Sequence, residues 1–454
     1  MPFLSINPAT GEEFFRADGH TPEQVDAILE DAAVAAPAWR AQPLAERVEL
    51  LRRVARVLRA QRDDLARLAT LEMGKLKAEA RAEIEKCATA CDYYAEHAEA
   101  FLADEPVATD AGDSRVVYQP LGTVLAVMPW NFPFWQAIRC AAPALAAGNT
   151  VLLKHASNVP QCALAIEQVF ADAGCREGVF RTLLIGSDAV DGVIADPRVH
   201  AVSLTGSDRA GRAVAATAGE HLKKCVLELG GSDAFIVLED ADLEAAVEQG
   251  LKSRFQNAGQ SCIAAKRFLL QAGIADAFLE RFVAGAEALV PGDPEDAGTT
   301  LGPLARHDLR DELHEQVQDA VERGARVLTG GGPLEGPGAF YAPTVLDGIT
   351  PDMRAWAEEL FGPAASVLRI EDAEHALAVA NGSPFGLGGA VWTQDLEQGA
   401  ALARRLECGA AFVNGMVKSD PRLPFGGVKD SGYGRELSRH GLLEFVNAKT
   451  LWVG

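Results

Sequence analysis

The sequence predicts an α/β protein with two domains built on parallel sheets, and three observations support this prediction. The chain has 454 residues, which exceeds one ordinary domain and is enough to bury two or three cores. From residue 123 onward, short apolar runs alternate with helical stretches, as is typical of strands and helices in a parallel sheet. A second alternation of the same kind begins near residue 234, so we expect two such sheets.

A helical segment precedes the first alternation. Between residues 22 and about 100, apolar residues recur at spacings of three and four among Arg, Glu and Ala, as in RVELLRRVARVLRAQRDDLARLATLEM. This pattern predicts a scaffold of packed helices.

The predicted strands fall into two series. The first series is TVLAVMP, TVLLK, FRTLLI, HAVSL and CVLEL, and the second is AFIVL, KRFLL, RVLTG, ASVLRI and AAFVNG. The segments SRVVYQP and LLEFVNAKTLWVG fit neither series. Because an unpaired strand edge readily accepts another strand, either segment could form an extended arm that pairs with another subunit.

Composition narrows the class of protein. Apolar residues make up 48% of the chain and charged residues 23%, which is typical of a soluble globular protein. The net charge of −22 argues against nucleic acid or an anionic membrane as a partner. The eight cysteines have no metal-site spacing, and no signal peptide or membrane span is evident, so we expect reduced thiols, no metal and a cytoplasmic location.

One cysteine lies in an unusual context for a structural thiol. Cys262 follows FQNAGQS and precedes IAAKRFLL, so it lies where a loop enters a strand, a common position for nucleophiles. The alternative is that this cysteine is a small buried hydrophobe.

Two other polar residues lie at predicted strand ends. Glu228, in VLELGGSD, is either held in a buried salt bridge or acts as a base whose pKa is raised by desolvation. Asn131, in AVMPWNFPFWQAIRC, can direct its amide at a developing oxyanion, although an asparagine here is often only a turn residue.

Together these segments resemble the aldehyde dehydrogenase superfamily. PWNFP, KHAS, LTGS, LELGG, GQSC, EELFGP and PFGGVKDSGYGRE occur in the family's order over nearly the whole chain. Within the superfamily, KHASNVP, LELGGSD and GQSCIAAKR are most similar to short bacterial succinate-semialdehyde dehydrogenases.

The resemblance implies a domain plan. A Rossmann-like cofactor domain is expected over 1–101 and 121–230, and a catalytic domain over 231–430. A small oligomerisation arm with the carboxyl-terminal tail is expected over 102–120 and 431–454, in a homodimer or homotetramer.

The resemblance also implies the chemistry. Cys262 is expected to attack the aldehyde carbon, with the oxyanion held by the Asn131 side chain and the Cys262 backbone N–H. Glu228 is expected to activate the water that hydrolyses the resulting thioester. A CoA-acylating enzyme is a rival that the presence of Glu228 disfavours. A catalytically silent structural relative is a second rival, disfavoured because all three residues are present.

Several residues match the family's NAD(P) contacts. By the resemblance these are Trp130, Lys154, Ser157, Gly206, Ser207, Glu359 and Phe361. At position 157 many NAD-preferring relatives carry a glutamate that repels a 2′-phosphate. Ser157 lacks that repulsion and can donate a hydrogen bond, so we expect NADP to be accepted and favoured, with NAD still open.

The expected substrate is a short aldehyde with a terminal carboxylate, succinate semialdehyde first and glutarate semialdehyde second; a broad specificity is the alternative. Such an anion needs a local cation, and Arg139 lies two helical turns after Asn131. The resemblance assigns a carboxylate-binding arginine to this position, whereas an ordinary salt bridge is the alternative. A second arginine of some relatives is replaced here by Gln256, so Arg254, or Ser419 with Lys418, is expected to substitute for it.

Overall fold

The computed structural model describes residues 2–454. Its strands are β1 (Phe3–Ile6), β2 (Glu13–Ala17), β3 (Glu105–Pro106), β4 (Asp113–Pro120), β5 (Thr123–Met128), β6 (Thr150–His155), β7 (Phe180–Thr182), β8 (Ala201–Thr205), β9 (Lys224–Glu228), β10 (Asp233–Val237), β11 (Ala265–Gln271), β12 (Arg326–Thr329), β13 (Thr344–Asp347), β14 (Ala364–Ile370), β15 (Phe385–Gly386), β16 (Gly388–Trp392), β17 (Ala410–Val413), β18 (Val428–Lys429), β19 (Gly432–Tyr433) and β20 (Val446–Val453). Its helices are α1 (Pro22–Arg40), α2 (Leu44–Ala60), α3 (Arg62–Met73), α4 (Lys77–Leu102), α5 (Pro133–Ala147), α6 (Pro160–Asp172), α7 (Val190–Ala195), α8 (Asp208–Glu220), α9 (Leu243–Phe255), α10 (Ala272–Glu287), α11 (His307–Glu322), α12 (Arg354–Ala357), α13 (Ala373–Asn381), α14 (Leu396–Ala403) and α15 (Ser438–Leu443).

The helical scaffold predicted for residues 22–100 is confirmed as α1 to α4. Helix α4 buries one face at helical spacing, with Ala80, Ile84, Cys87, Ala88 and Cys91 all inaccessible to solvent. This face packs against α2, α3 and α5 in the largest hydrophobic core.

The five strands of the first predicted series and β19, which the sequence analysis did not predict, form one six-stranded sheet in the order β19-β9-β8-β5-β6-β7. All its pairs are parallel except β19 with β9. Strands β6 and β8 are buried along their whole length, as expected for a sheet with helices on both faces.

The second series forms a seven-stranded sheet in the order β12-β13-β14-β11-β10-β16-β17. Two of its strands, β13 and β16, are absent from the sequence prediction. This sheet is parallel except at one edge, where β12 pairs antiparallel with β13.

The two segments that fit neither alternation pair with each other. Strand β20 lies antiparallel to β4, with Val446 opposite Pro120 and Val453 opposite Asp113, and β3 completes a three-stranded sheet. Leu451, Trp452 and Val453 are exposed on β20. The role of this sheet as an oligomerisation arm stays a prediction.

Strand topology determines where side chains meet. Strands β5, β8 and β9 are parallel, so their carboxyl ends lie at the same edge of the six-stranded sheet. Residues 229–232 connect β9 directly to β10 of the other sheet. None of the helices within residues 2–454 has the length and hydrophobicity needed to cross a membrane.

Candidate active site

The segment before Cys262 makes a tight left-handed turn. After α9 ends, Asn257, Ala258 and Gly259 have φ values of 55°, 52° and 74°. A Cβ at Gly259 would lie 2.2 Å from the Gly362 carbonyl oxygen, so only glycine permits this approach. The turn presents Cys262, which is partly exposed, to a cleft of about 510 Å³.

Asn131 is hydrogen-bonded to the same turn. Its Nδ2 donates to the carbonyl of Gln260 at 3.2 Å, and Asn257 Nδ2 donates to the Asn131 carbonyl at 2.9 Å. Asn131 and Cys262 both line the cleft. Because the two loops are bonded to each other, the amide is fixed in place relative to the thiol.

Lys266 is a part of the site that the sequence reasoning missed. Its Nζ donates to the carbonyls of Ser261 and Cys262, both at 2.7 Å, and pairs with Glu359 Oε1 at 2.8 Å. A charged residue inside the apolar run IAAKRFLL was the available signal. Burial raises the pKa of the Cys262 thiol to about 12, and the charges of Lys266 and Arg139 partly oppose this rise.

Glu228 is the last residue of β9, and the two residues that follow it, Leu229 and Gly230, line the cleft. It is 2% exposed, and neither carboxyl oxygen has a hydrogen-bond partner in the described residues. Burial, and next the neighbouring carboxylate of Glu436, raise the pKa of Glu228 well above its ordinary value, while Arg139 lowers it. The sequence left two interpretations of Glu228 open, a buried salt bridge and a carboxyl whose pKa is raised by desolvation. In the described residues the carboxyl is desolvated and has no salt-bridge partner.

Five of the seven predicted cofactor contacts line the same cleft as Cys262, namely Trp130, Gly206, Ser207, Glu359 and Phe361. The Trp130 and Phe361 rings meet edge to face, with centroids 5.7 Å apart. Ser207 caps α8, whose first N–H groups form the kind of anion site that suits a pyrophosphate. A Cβ at Gly230 would lie 2.6 Å from Glu359 Oε2, so the glycine leaves room for this carboxylate. These features fit a nicotinamide dinucleotide.

The other two predicted cofactor contacts lie outside the cleft lining. Lys154 is at the carboxyl end of β6, where its neighbour across the sheet is Val127 of β5. Ser157 lies exposed in the following turn. Lys154 therefore lies on the strand next to the one that leads to Trp130, and Ser157 lies in the turn that follows that strand. Among residues 2–454 no group of His, Cys, Asp or Glu side chains is arranged to hold a metal ion.

Arg139 and Arg254, which are expected to bind a substrate carboxylate, lie outside the cleft lining and contact protein groups, and their substrate role stays a prediction. Arg139 is buried, ion-paired with Glu436 and bonded to Thr205 Oγ1 at 3.0 Å. Arg254 is fully buried and donates to the carbonyls of Gly259 at 2.6 Å and Gly362 at 2.8 Å. Both guanidinium groups are thus engaged by the protein itself, and Arg254 stabilises the turn before Cys262.

Ser419 lies elsewhere, in the loop before PFGG, and is 9% exposed. Its hydroxyl accepts a hydrogen bond from Lys86 Nζ at 2.6 Å. Within residues 2–454 this lysine has no carboxylate at salt-bridge distance, and the substrate role of Ser419 stays a prediction.

Comparison with known proteins agrees with this geometry. The family model described as the aldehyde dehydrogenase family matches residues 2–451. A probable succinate-semialdehyde dehydrogenase (NADP+) of Synechocystis is 51% identical over 453 residues, covering 100% of both chains. The succinate semialdehyde dehydrogenase (NAD(P)+) Sad of Escherichia coli is 52% identical over 449 residues, covering 99% of this chain and 97% of its own.

Solved structures show the same fold. The crystal structure of succinic semialdehyde dehydrogenase from Streptococcus pyogenes, in complex with NADP+, superposes with a TM-score of 0.97. It is 40% identical and covers 99% of both chains.

Proposed function

Because the chain belongs to the aldehyde dehydrogenase family, we propose that it oxidises succinate semialdehyde to the acid, with NADP or NAD as the acceptor. The proposed chemistry rests on one observation. Asn131 is hydrogen-bonded to the turn before Cys262, and both residues face the cleft that suits a nicotinamide dinucleotide. The substrate is supported by the names of relatives that are about half identical over their full length.

The chain's own residues account for the covalent steps. Cys262, after losing its proton to solvent, attacks the aldehyde carbon and forms a thiohemiacetal. The Asn131 amide and the Cys262 backbone N–H donate to the oxygen that becomes negative. A bound nicotinamide supplies the hydride acceptor that this oxidation needs. Loss of the hydride from the thiohemiacetal carbon leaves a thioester on Cys262.

Hydrolysis completes the reaction. Glu228 takes a proton from water, whose oxygen attacks the thioester carbon, and the C–S bond breaks to release the acid and restore Cys262. Glu228 is not part of the cleft lining, and we propose that its side chain turns toward Cys262 for this step. Overall, aldehyde and water become carboxylate while the acceptor gains a hydride and protons leave.

We also propose the domain plan given above, with a cofactor domain over 1–101 and 121–230 and a catalytic domain over 231–430. The exposed apolar strand β20 supports an arm that pairs with another copy in a homodimer or homotetramer. We also propose a cytoplasmic location, which the scattered cysteines without paired spacing support.

A panel of aldehydes tests the proposed substrate. Succinate semialdehyde, glutarate semialdehyde and butanal are each assayed with NADP and NAD by the absorbance of the reduced nicotinamide. We expect kcat/KM to be highest for succinate semialdehyde. A highest value for butanal would favour a general aldehyde dehydrogenase, and a requirement for CoA would favour acyl transfer in place of hydrolysis.

Replacing Ser157 with glutamate is expected to raise KM for NADP far more than KM for NAD. The exposed position at the end of β6 places the new carboxylate at the rim of the proposed adenosine site, where it would repel a 2′-phosphate. Solvent screening limits the discrimination to about 1–3 kcal/mol. Ser157→Gln is the matched control, since it adds the same bulk without charge. Equal losses for both cofactors in the Glu variant would show that Ser157 does not face the ribose.

A further inference from the structure

Lys86, in the middle of α4, holds its ammonium group against the side chains of Ser419 and Trp135. Its Nζ donates to Ser419 Oγ at 2.6 Å and lies 4.3 Å from the centre of the Trp135 ring. Within residues 2–454 no carboxylate lies within salt-bridge distance of this ammonium. The ammonium group is therefore contacted by a hydroxyl and by the face of an aromatic ring. Neither carries a negative charge that would balance the positive charge of the ammonium.

The acidic groups around Lys86 are already occupied. Glu83 pairs with Lys75, and Asp420 pairs with Arg422 at 2.6 Å. The neighbouring cation Arg139 is balanced by Glu436. One positive charge therefore remains in a partly desolvated place, where an incoming anion gains more than it would in water.

Helix α5 relates this cation to the reacting groups. The helix begins two residues after Asn131, and Trp135 lies in its first turn. Gln136, the next residue, lines the cleft together with Asn131 and Cys262. The first turn of α5 thus joins the cleft lining at Gln136 to the Trp135 ring that contacts Lys86.

We propose that Lys86, together with Ser419, binds the terminal carboxylate of the aldehyde substrate and determines its specificity. The ammonium supplies the charge and the hydroxyl supplies a second hydrogen bond. Lys86 differs in this from Arg139 and Arg254, whose guanidinium groups contact the Glu436 carboxylate and a backbone carbonyl. The inference rests on the proposed oxidation of a carboxylated aldehyde.

Two substitutions at one position test the proposal. Lys86→Met removes the charge at similar length, and Lys86→Arg keeps it. We expect Lys86→Met to raise KM for succinate semialdehyde on the order of 10- to 100-fold, as for loss of a charged hydrogen bond, while KM for butanal changes less than about twofold. Lys86→Arg should recover most of the loss. Lys77→Met is the control, because it removes the charge of a lysine at the start of the same helix without affecting the contact between Lys86 and Ser419.

A pH series gives an independent readout. Burial and the charge of Arg139 lower the pKa of Lys86 to about 8, and the other ionisable groups that influence it are Cys87, Glu83 and Asp420. Because the ammonium is lost as pH rises, the ratio of KM for succinate semialdehyde to KM for butanal should rise through about pH 8. Titration of the catalytic residues affects both aldehydes and cancels in this ratio.

The outcomes separate the two proposals. If the wild type prefers succinate semialdehyde and Lys86→Met weakens both aldehydes equally, Lys86 has only a structural role and the inference is overturned. If the wild type shows no preference for the carboxylated aldehyde, the proposed function fails and the inference with it. A selective rise in KM that Lys86→Arg reverses supports both.

Discussion

Cys262→Ala is expected to abolish aldehyde oxidation while the affinity for NADP changes less than about twofold. The substitution removes the only thiol on the cleft wall within residues 2–454 and leaves the walls that face the cofactor unchanged. Without a covalent intermediate, the oxyanion donors have no thiohemiacetal to stabilise. Single-turnover reduction of NADP measures the first effect, and a fluorescence titration with NADPH measures the second.

Cys408→Ala is the matched control for this prediction. Cys408 is also partly buried, and burial likewise raises the pKa of its thiol to about 12, but it lies outside the cleft. We expect full activity from this variant. Appreciable turnover by Cys262→Ala, or an equal loss in Cys408→Ala, would contradict covalent catalysis at Cys262.

Helices and strands could be predicted where the local pattern of apolar residues matches the face that the element buries in the fold. The spacing of apolar residues gave α1 to α4, and the apolar runs gave ten strands of the two large sheets. Strand β16 was missed because GGAVW opens on two glycines, which propensity assigns to turns. The antiparallel pairing of β12 depends on the neighbour it meets in space, which no local window contains. The family and fold predictions are confirmed.

The sequence motifs predicted which residues line the candidate site, but they did not predict the contacts of its charged side chains. Motif positions brought Asn131, Cys262 and five cofactor contacts to one cleft. The ion pair of Arg139 with Glu436 could not be predicted, because Glu436 lies 297 residues away in the sequence. The contact of Lys86 with Ser419 could not be predicted for the same physical reason, since only the folded chain brings α4 beside the loop of Ser419.

The environment of Glu228 also predicts how its replacement affects stability. Burial raises the pKa of this carboxyl in the folded chain, so the folded protein loses stability as pH rises above the ordinary carboxyl range and the group is forced toward its charged form. Glutamine has the same shape as the neutral acid and does not ionise. We therefore expect Glu228→Gln to melt at a temperature no lower than the wild type at neutral pH.

Glu228→Gln is expected to slow steady-state turnover about 10²- to 10⁴-fold, the usual cost of losing a general base. The thioester should still form, because attack by Cys262 and stabilisation by Asn131 do not need this carboxylate. The expected trace is a burst of reduced cofactor, close to one equivalent per site, followed by slow release of acid. Rapid-mixing absorbance measures the burst, and the acyl-enzyme should be visible by intact-protein mass spectrometry. Unchanged steady-state turnover would exclude Glu228 as the base, and a slow reaction without a burst would place its role before the thioester, at the activation of Cys262.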